Sequence, residues 1–206
     1  MDQNLQNLAD KIIKYTDRAG VQYCDVRAEQ QIKKSALIEN NEIMYIRNNE
    51  DKGIGVRLIK NGTWSFCSVT NPNSFDKIKN ILDSTIKNSD YKNIDKKNKI
   101  NLHSNPINKK EINFLVLKKP EIEELIKIGF ESNKIIKNTP KIIKSITSAG
   151  YTINSKYFVN SEGSEILQNF TDVIMEMIAT AHESGQTQSV NITEGGRGGL
   201  ELITNK

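Results

Sequence analysis

The chain has 206 residues, of which 26% are charged and only 6% are aromatic, and its formal net charge is +4. This length holds one large domain or two small ones and is enough to bury a hydrophobic core. Three residue types are over-represented, with 29 Ile, 24 Lys and 24 Asn residues. An AT-rich coding sequence over-supplies these amino acids, so the positive charge needs no nucleic-acid partner. The scattered lysines, without an aromatic-interleaved patch, argue against one.

The sequence has neither the pattern of a membrane-spanning protein nor that of a secreted one. No segment approaches the roughly 18 apolar residues of a membrane span, and residues 1–10 lack the basic and then apolar order of a signal peptide. The sequence therefore predicts a soluble, cytoplasmic protein without a membrane partner. Cys24 and Cys67 are too few for a disulfide scaffold and are not spaced like a zinc ribbon. We expect both to be buried free thiols on strands.

The first ninety residues predict a helix, a β-meander and a second helix. Residues 5–13 carry apolar side chains at helical spacing, and Asp2 is a suitable N-cap. From Cys24 the period changes to two, and this strand leads to a hairpin that turns at Asn40-Asn41.

A second hairpin is predicted at Asn61-Gly62, the pair that a two-residue type I′ turn prefers because both central residues need positive φ. This turn sets Arg57 opposite Phe66. The residues on the other face of the hairpin are expected to face helices; they are Ile54, Val56, Leu58, Ser65, Cys67 and Val69.

The following helix is expected to open at Asn71-Pro72 and to bury one apolar stripe. That stripe contains Phe75, Ile78, Ile81, Leu82 and Ile86.

Composition divides the chain into three parts. Residues 1–90 predict an N-terminal α+β module, residues 91–118 a polar linker, and residues 119–206 a second α+β module. In the second module a helix opens at Pro120 and closes before Pro140, and alternating strands follow. The expected fold class is α+β, with two modules of antiparallel sheet and helices packed on one face of each.

The glycine-rich segment near residue 200 is the candidate substrate-binding site, and it consists of Gly195, Gly196, Arg197, Gly198 and Gly199. Glycines let backbone N–H groups approach a ligand closely, and an arginine among them can pair with a carboxylate or a phosphate. The segment is not a phosphate loop, because no Gly-Lys-Ser/Thr follows it. The alternative is a flexible connection between modules.

No catalytic or metal-ligating set is expected in this chain. His182-Glu183 begins like a zinc-peptidase signature, but no second histidine follows it, and the only other histidine is His103. Neither a Ser-His-Asp nor a Cys-His arrangement can be assembled from two histidines and two strand cysteines.

Four segments, taken in order, resemble one known family. They are Tyr23-Cys24-Asp25-Val26-Arg27; Asp51-Lys52-Gly53-Ile54-Gly55-Val56-Arg57; Gly62-Thr63-Trp64-Ser65-Phe66; and Asn160-Ser161-Glu162-Gly163, followed by Gly195 to Glu201. The segments resemble the TldD/PmbA family. Its TldD branch is the more similar one in three features, which are the Asp-Val-Arg sequence, the tryptophan and the glycine-rich segment. Cys24 and Ser65 stand where members commonly have Ala and Gly.

Members of this family have been called modulators of DNA gyrase and are understood as zinc metallopeptidases. The resemblance implies a zinc held by a His-Glu-x-x-x-His helix and a distant cysteine, with the glutamate activating water for attack on extended or unfolded peptides. Those ligands belong to the family's C-terminal part. The resemblance therefore implies that this chain is a non-catalytic N-terminal portion, without zinc of its own, that shapes the substrate cavity and a homo- or heterodimer.

Two other functions stay open at this point. One is a short stand-alone binding or modulatory subunit that pairs with such a peptidase. The other is a nucleic-acid-binding protein, prompted by the basic balance of the sequence and the gyrase name.

Overall fold

The structure is a computed structural model that describes residues 1–90, 99–100, 102–103, 105–114 and 119–204, without the side chain of Asp90. Much of the predicted linker at 91–118 lies outside these residues. The four helices of the described part are α1 (Gln3–Arg18), α2 (Phe75–Asp90), α3 (Ile122–Lys137) and α4 (Glu201–Thr204). Its strands are β1 (Tyr23–Glu39), β2 (Glu42–Lys60), β3 (Thr63–Thr70), β4 (Lys109–Phe114), β5 (Ile142–Asn160), β6 (Glu165–Glu183) and β7 (Gln186–Arg197).

The strands of the described residues hydrogen-bond in the order β3-β2-β1-β5-β6-β4, and β7 pairs with β6. The pairings of β2 with β3 and of β6 with β7 are antiparallel. Helices and antiparallel strands alternate in groups along the chain, so the predicted α+β class is confirmed.

The chain forms two compact units that interleave in sequence. The first consists of Met1–Gln31, Asp51–Asn113 and Ser155–Asn169. The second consists of Ile32–Glu50, Phe114–Asn154 and Phe170–Lys206. These units group residues by contact, so the boundaries predicted along the sequence, 1–90, 91–118 and 119–206, stay a prediction.

The first unit buries the apolar stripes of α1 and α2 against one face of its strands. Leu8, Ile12, Ile78 and Leu82 are each at most 2% exposed, and they pack in one cluster with the strand residues of the predicted inward face. That cluster includes Cys24, Val26, Ala28, Ile54, Val56, Leu58 and Cys67. Helices therefore cover this face, as the alternation predicts.

The Asn61-Gly62 hairpin has the predicted register. Asn61 and Gly62 have positive φ angles of 54° and 75°, as a type I′ turn requires. Arg57 lies opposite Phe66, and Val56 lies opposite Cys67. The predicted turn at Asn40-Asn41 also joins its two strands.

The second unit packs α3 through three residues four positions apart, Leu125, Gly129 and Asn133. A Cβ on Gly129 would lie 2.4 Å from Cδ1 of Ile38, so glycine at this position allows close packing of α3. Both polar atoms of the buried Asn133 amide are hydrogen-bonded: its Oδ1 accepts from the backbone N of Asn41 at 2.8 Å and from Oγ of Ser145 at 3.0 Å. Its Nδ2 donates to the carbonyl of Ile38, so the polar group carries no burial penalty.

Three local expectations need correction. Helix α2 begins at Phe75 and not at Pro72, since Asn71 takes a positive φ of 49° and its N–H bonds to the carbonyl of Lys52. Ile81 is 40% exposed and does not belong to the buried stripe. The polar run that was expected to be linker contains β4, because an edge strand is held by backbone pairing and needs no apolar pattern.

The described helices include none that is both long and apolar enough to cross a membrane.

Candidate functional site

The predicted glycine-rich site lies in the second unit and is largely a strand. Gly195 and Gly196 lie opposite Ile174 and Val173 of β6, and Arg197 lies opposite Asp172. The following N–H, of Gly198, donates to the carbonyl of Thr171 at 3.0 Å. A paired strand therefore replaces the flexible connection that was the alternative.

Glycine is required here by the backbone. Gly195, Gly196 and Gly198 have φ angles of 148°, 155° and 156°, which L side chains rarely adopt. A Cβ on Gly195 would lie 2.2 Å from the carbonyl oxygen of Val173, and one on Gly198 would lie 2.8 Å from Cδ1 of Leu202. The absence of side chains at these glycines thus lets β7 pack closely against β6, and the residues after it against Leu202.

Arg197 is fixed across the strands but keeps an accessible guanidinium. Its Cζ lies 4.1 Å from the centroid of the Phe170 ring, and its Nε donates to Oδ1 of Asp172 at 3.4 Å. The other carboxylate oxygen of Asp172 accepts from Asn154 at 3.2 Å. The Arg197 side chain is 53% exposed, so it can still bind a carboxylate.

Strand β7 offers a backbone edge as well. In the described part of the chain β7 pairs with β6 alone, and most of its residues are exposed. The N–H and C=O groups on the opposite edge of such a strand can accept an extended peptide, and glycines leave that approach clear. The arrangement can bind an extended backbone beside a cation.

The other family-like segments meet in the first unit. Nε and one terminal nitrogen of Arg57 lie 2.8 and 2.7 Å from Oδ2 of Asp25, and the Asp25 side chain is 1% exposed. The Arg57 guanidinium lies 4.7 Å from the centroid of Trp64, which Tyr23 contacts edge-on at 5.8 Å. A buried carboxylate is therefore held by a charged, forked donor.

The turn that begins at Asn160 is tied to the same strand. The N–H of Ser161 donates to the carbonyl of Cys24 at 2.8 Å, and the N–H of Cys24 donates to Oγ of Ser161 at 3.0 Å. Oδ1 of Asn160 accepts from the N–H of Ser164. These segments are distant in sequence, so their convergence could not be read from spacing. The available signal was that Asp25 and Arg57 both alternate with core-facing residues.

The cysteines are buried free thiols on β1 and β3, as predicted. Burial raises the pKa of Cys24 to about 12, and it also raises the pKa of Cys67 above its usual value. Both side chains are therefore protonated near neutral pH and are poor nucleophiles.

His182 and Glu183 end strand β6, and both contact neighbouring side chains. Nδ1 of His182 lies 2.9 Å from Oγ1 of Thr187 in the hairpin, and Glu183 forms an ion pair with Lys141 at 2.6 Å. Among the described residues no group of three His, Cys, Asp or Glu side chains could hold a metal ion.

Comparison with family models finds a match in the first part of the chain. The family model for the PmbA/TldA metallopeptidase domain 1 matches residues 24–89, a range that contains Asp25, Arg57 and Trp64. This part of the chain is therefore similar to the first domain of PmbA/TldD proteins. No curated protein matches the sequence. Assignment to the TldD branch stays a prediction.

Solved structures share the fold of this chain. A candidate modulator of DNA gyrase from Bacteroides thetaiotaomicron is 16% identical with a TM-score of 0.80, and the match covers 98% of this chain and 47% of that one. A candidate DNA gyrase modulator from Thermotoga maritima is 12% identical with a TM-score of 0.76, and the match covers 96% of this chain and 44% of that one. TldE from Thermococcus kodakarensis is 15% identical with a TM-score of 0.74, and the match covers 91% of this chain and 42% of that one. The chain spans less than half the length of each.

Proposed function

We propose that this chain serves as the N-terminal, non-catalytic region of a TldD-like zinc metallopeptidase that hydrolyses extended or unfolded peptides. In this proposal it helps to enclose the substrate cavity and to form a homo- or heterodimer in the cytoplasm. The family model for domain 1 supports the proposal, because it describes the first domain of a metallopeptidase.

The observation that carries the peptide-binding part of the proposal is the accessible edge of β7 beside Arg197. An extended peptide can add to this edge through backbone hydrogen bonds, which do not depend on its sequence. The exposed guanidinium of Arg197, held over Phe170, can bind a carboxylate of the same peptide. Folded proteins have their backbone groups already paired, so this mode selects extended chains.

The described residues do not fit a zinc site. In the described part of the chain no three His, Cys, Asp or Glu side chains converge as a zinc site needs, and the ring of His182 is paired with a threonine in a hairpin. We propose that the zinc and the water-activating glutamate belong to a catalytic region supplied with this chain in the working enzyme. The chain's own residues would orient the peptide.

The test is binding of an unfolded protein to the 206-residue chain. Reduced and carbamidomethylated ribonuclease A should bind and should slow amide hydrogen exchange in β7, whereas native ribonuclease A should do neither. Arg197→Gln should weaken binding about tenfold through loss of a charge-assisted contact. Lys134→Gln removes an exposed charge of α3 in the same unit and should change nothing.

Equal binding of native and unfolded ribonuclease would contradict the proposal. Unchanged exchange in β7 at a saturating concentration of the unfolded protein would do so as well, and it does not depend on any variant.

A further inference from the structure

A groove in the first unit is used by neither the glycine-rich strand nor the Asp25–Arg57 pair. Its volume is about 430 Å³, within the range of small-ligand sites. We call it the Arg27 groove. The side chains that give it its chemistry are Arg27, Glu29, Lys156, Phe158, Ile166 and Gln168.

The groove lies on the sheet face away from α1 and α2. Val26 and Ala28 of β1 are in the core under these helices, and the alternating residues Arg27 and Glu29 therefore point to the opposite face. Arg27 is 55% exposed, so a ligand can reach it from solvent.

Positive charge is in excess at one end of the groove. Arg57 takes the short contacts to Asp25, and the nearest guanidinium nitrogen of Arg27 is 3.9 Å from the same carboxylate. Glu29 and Lys156 pair with each other at 3.5 Å. Two guanidinium groups thus share one carboxylate, and an anion that meets Arg27 gains charge complementarity.

Arg27 is also pre-positioned beside an apolar wall. Its Cζ lies 5.7 Å from the centroid of the Phe158 ring, and Ile166 lines the same groove. A guanidinium stacked on a ring keeps donors in its own plane, where they can form paired hydrogen bonds to a carboxylate. The ligand that fits this end carries a carboxylate next to an apolar side chain.

The polar side chains of the groove favour a peptide over a simple carboxylic acid as the ligand. Glu29, Lys156 and Gln168 offer both hydrogen-bond donors and acceptors. The alkyl chain of a fatty acid would remove these polar groups from water without forming hydrogen bonds to them, and that costs free energy. A peptide would place its backbone N–H and C=O groups there.

We propose that the Arg27 groove binds the C-terminal end of a peptide, with the terminal carboxylate on Arg27 and the last, apolar side chain against Phe158 and Ile166. This site is separate from the β7 edge and stands or falls independently of the proposed function.

The probes are N-acetyl-Ala-Leu, its C-terminal amide, and octanoate, each titrated into the 15N-labelled 206-residue chain and followed by NMR. The free acid should bind and shift the side-chain Nε signal of Arg27, and the amide and octanoate should each bind at least about tenfold more weakly. Arg27→Gln should lower affinity for the acid about tenfold, whereas Lys11→Gln, which removes an exposed charge of α1, should not change it.

Arg27→Gln leaves the short Arg57 contacts to Asp25 in place, and circular dichroism checks that it folds. Equal affinity for the acid and the amide would overturn the proposal on the unmodified chain alone. Octanoate binding as tightly as the dipeptide would identify a simple acid as the ligand and overturn it too. The Nε signal of Arg27 reports binding to the groove alone, which separates this site from the Arg197 guanidinium beside β7.

Discussion

Two arginines of this chain stack on an aromatic ring and pair with an aspartate, and the two pairs differ in burial. In the first unit Arg57 makes contacts of 2.7 and 2.8 Å to an Asp25 side chain that is 1% exposed. In the second unit Arg197 makes one contact of 3.4 Å to an Asp172 side chain that is 39% exposed. The same residue types therefore support a structural role in one place and leave a cation accessible in the other.

The difference follows from what surrounds each pair. Arg57 lies over Trp64 and is still 43% exposed, whereas the Asp25 carboxylate is removed from water and therefore depends on its short contacts to Arg57. Arg197 ends an exposed edge strand, where water screens its charge and the ion pair contributes little to stability. An accessible arginine can exchange its aspartate for a ligand at small cost.

The largest effect is expected from breaking the buried pair. Arg57→Met should destabilise the chain by about 3 kcal/mol, because it leaves a buried carboxylate without its short contacts. Arg197→Met should change stability by no more than about 0.5 kcal/mol. Urea unfolding measures both.

A double variant controls for the loss of packing. Asp25→Asn combined with Arg57→Met should recover part of the stability, since no buried charge is then left unpaired. Equal losses for the two arginine variants would contradict the contrast between the units.

A smaller and more local effect is expected from adding one methyl group to the glycine-rich strand. Gly195→Ala places a Cβ 2.2 Å from the carbonyl oxygen of Val173, so β7 must move away from β6, at a cost of about 2 kcal/mol. Hydrogen exchange should show faster exchange in β7 and little change in the first unit.

Gly53→Ala is the matched control for this variant. Its Cβ would lie 3.6 Å from the nearest backbone oxygen, that of Val69, which is ordinary contact. It should cost less than Gly195→Ala and leave β7 unaffected. Unaltered exchange in β7 of the Gly195→Ala variant would show that the strand tolerates the side chain.

The sequence carried information where local chemistry decides the structure. Asn61-Gly62 demands a type I′ turn, and that turn fixes the pairing of every residue in its hairpin. The inward faces of the second hairpin and of α1, and that of α2 apart from Ile81, followed from periodicity, because burial decides them. The glycine-rich segment was recognised as a candidate site, but the close contacts that exclude a Cβ at Gly195 and Gly198 are visible only in the structure.

What could not be predicted depends on pairing between distant segments. Strand β7 has a polar, exposed sequence and exists because β6 extends beside it. The meeting of Asp25 with Arg57, and of Arg27 with Phe158, depends on which strands become neighbours. Sequence patterns state the face of a residue but not its partner across the sheet.

The smallest effect is expected at the N-cap of α1, where a charge again stabilises the first unit. Oδ1 of Asp2 accepts from the N–H of Asn4 at 2.9 Å, and Oδ2 pairs with Lys52 at 2.8 Å. The hydrogen bond from Lys52 holds the pKa of Asp2 below its usual 3.8. A carboxylate with a lowered pKa stabilises the folded chain above its usual pKa, and this stabilisation disappears as the pH falls through the lowered value. Asp2→Ala should cost about 1 kcal/mol at pH 7.

Asp2→Asn separates the cap from the charge. Asparagine caps helices as well as aspartate does, so this variant should lose only the contribution of Lys52, a few tenths of a kcal/mol at an exposed site. Urea unfolding of the chain and of this variant should differ at pH 7 and converge as the pH falls below 3.8, because Asp2 is then protonated in the unfolded chain and finally in the folded one. Equal stability of the chain and this variant at pH 7 would mean that the Asp2 side chain acts through its hydrogen bond to Asn4 alone, and that the first unit does not depend on this charge.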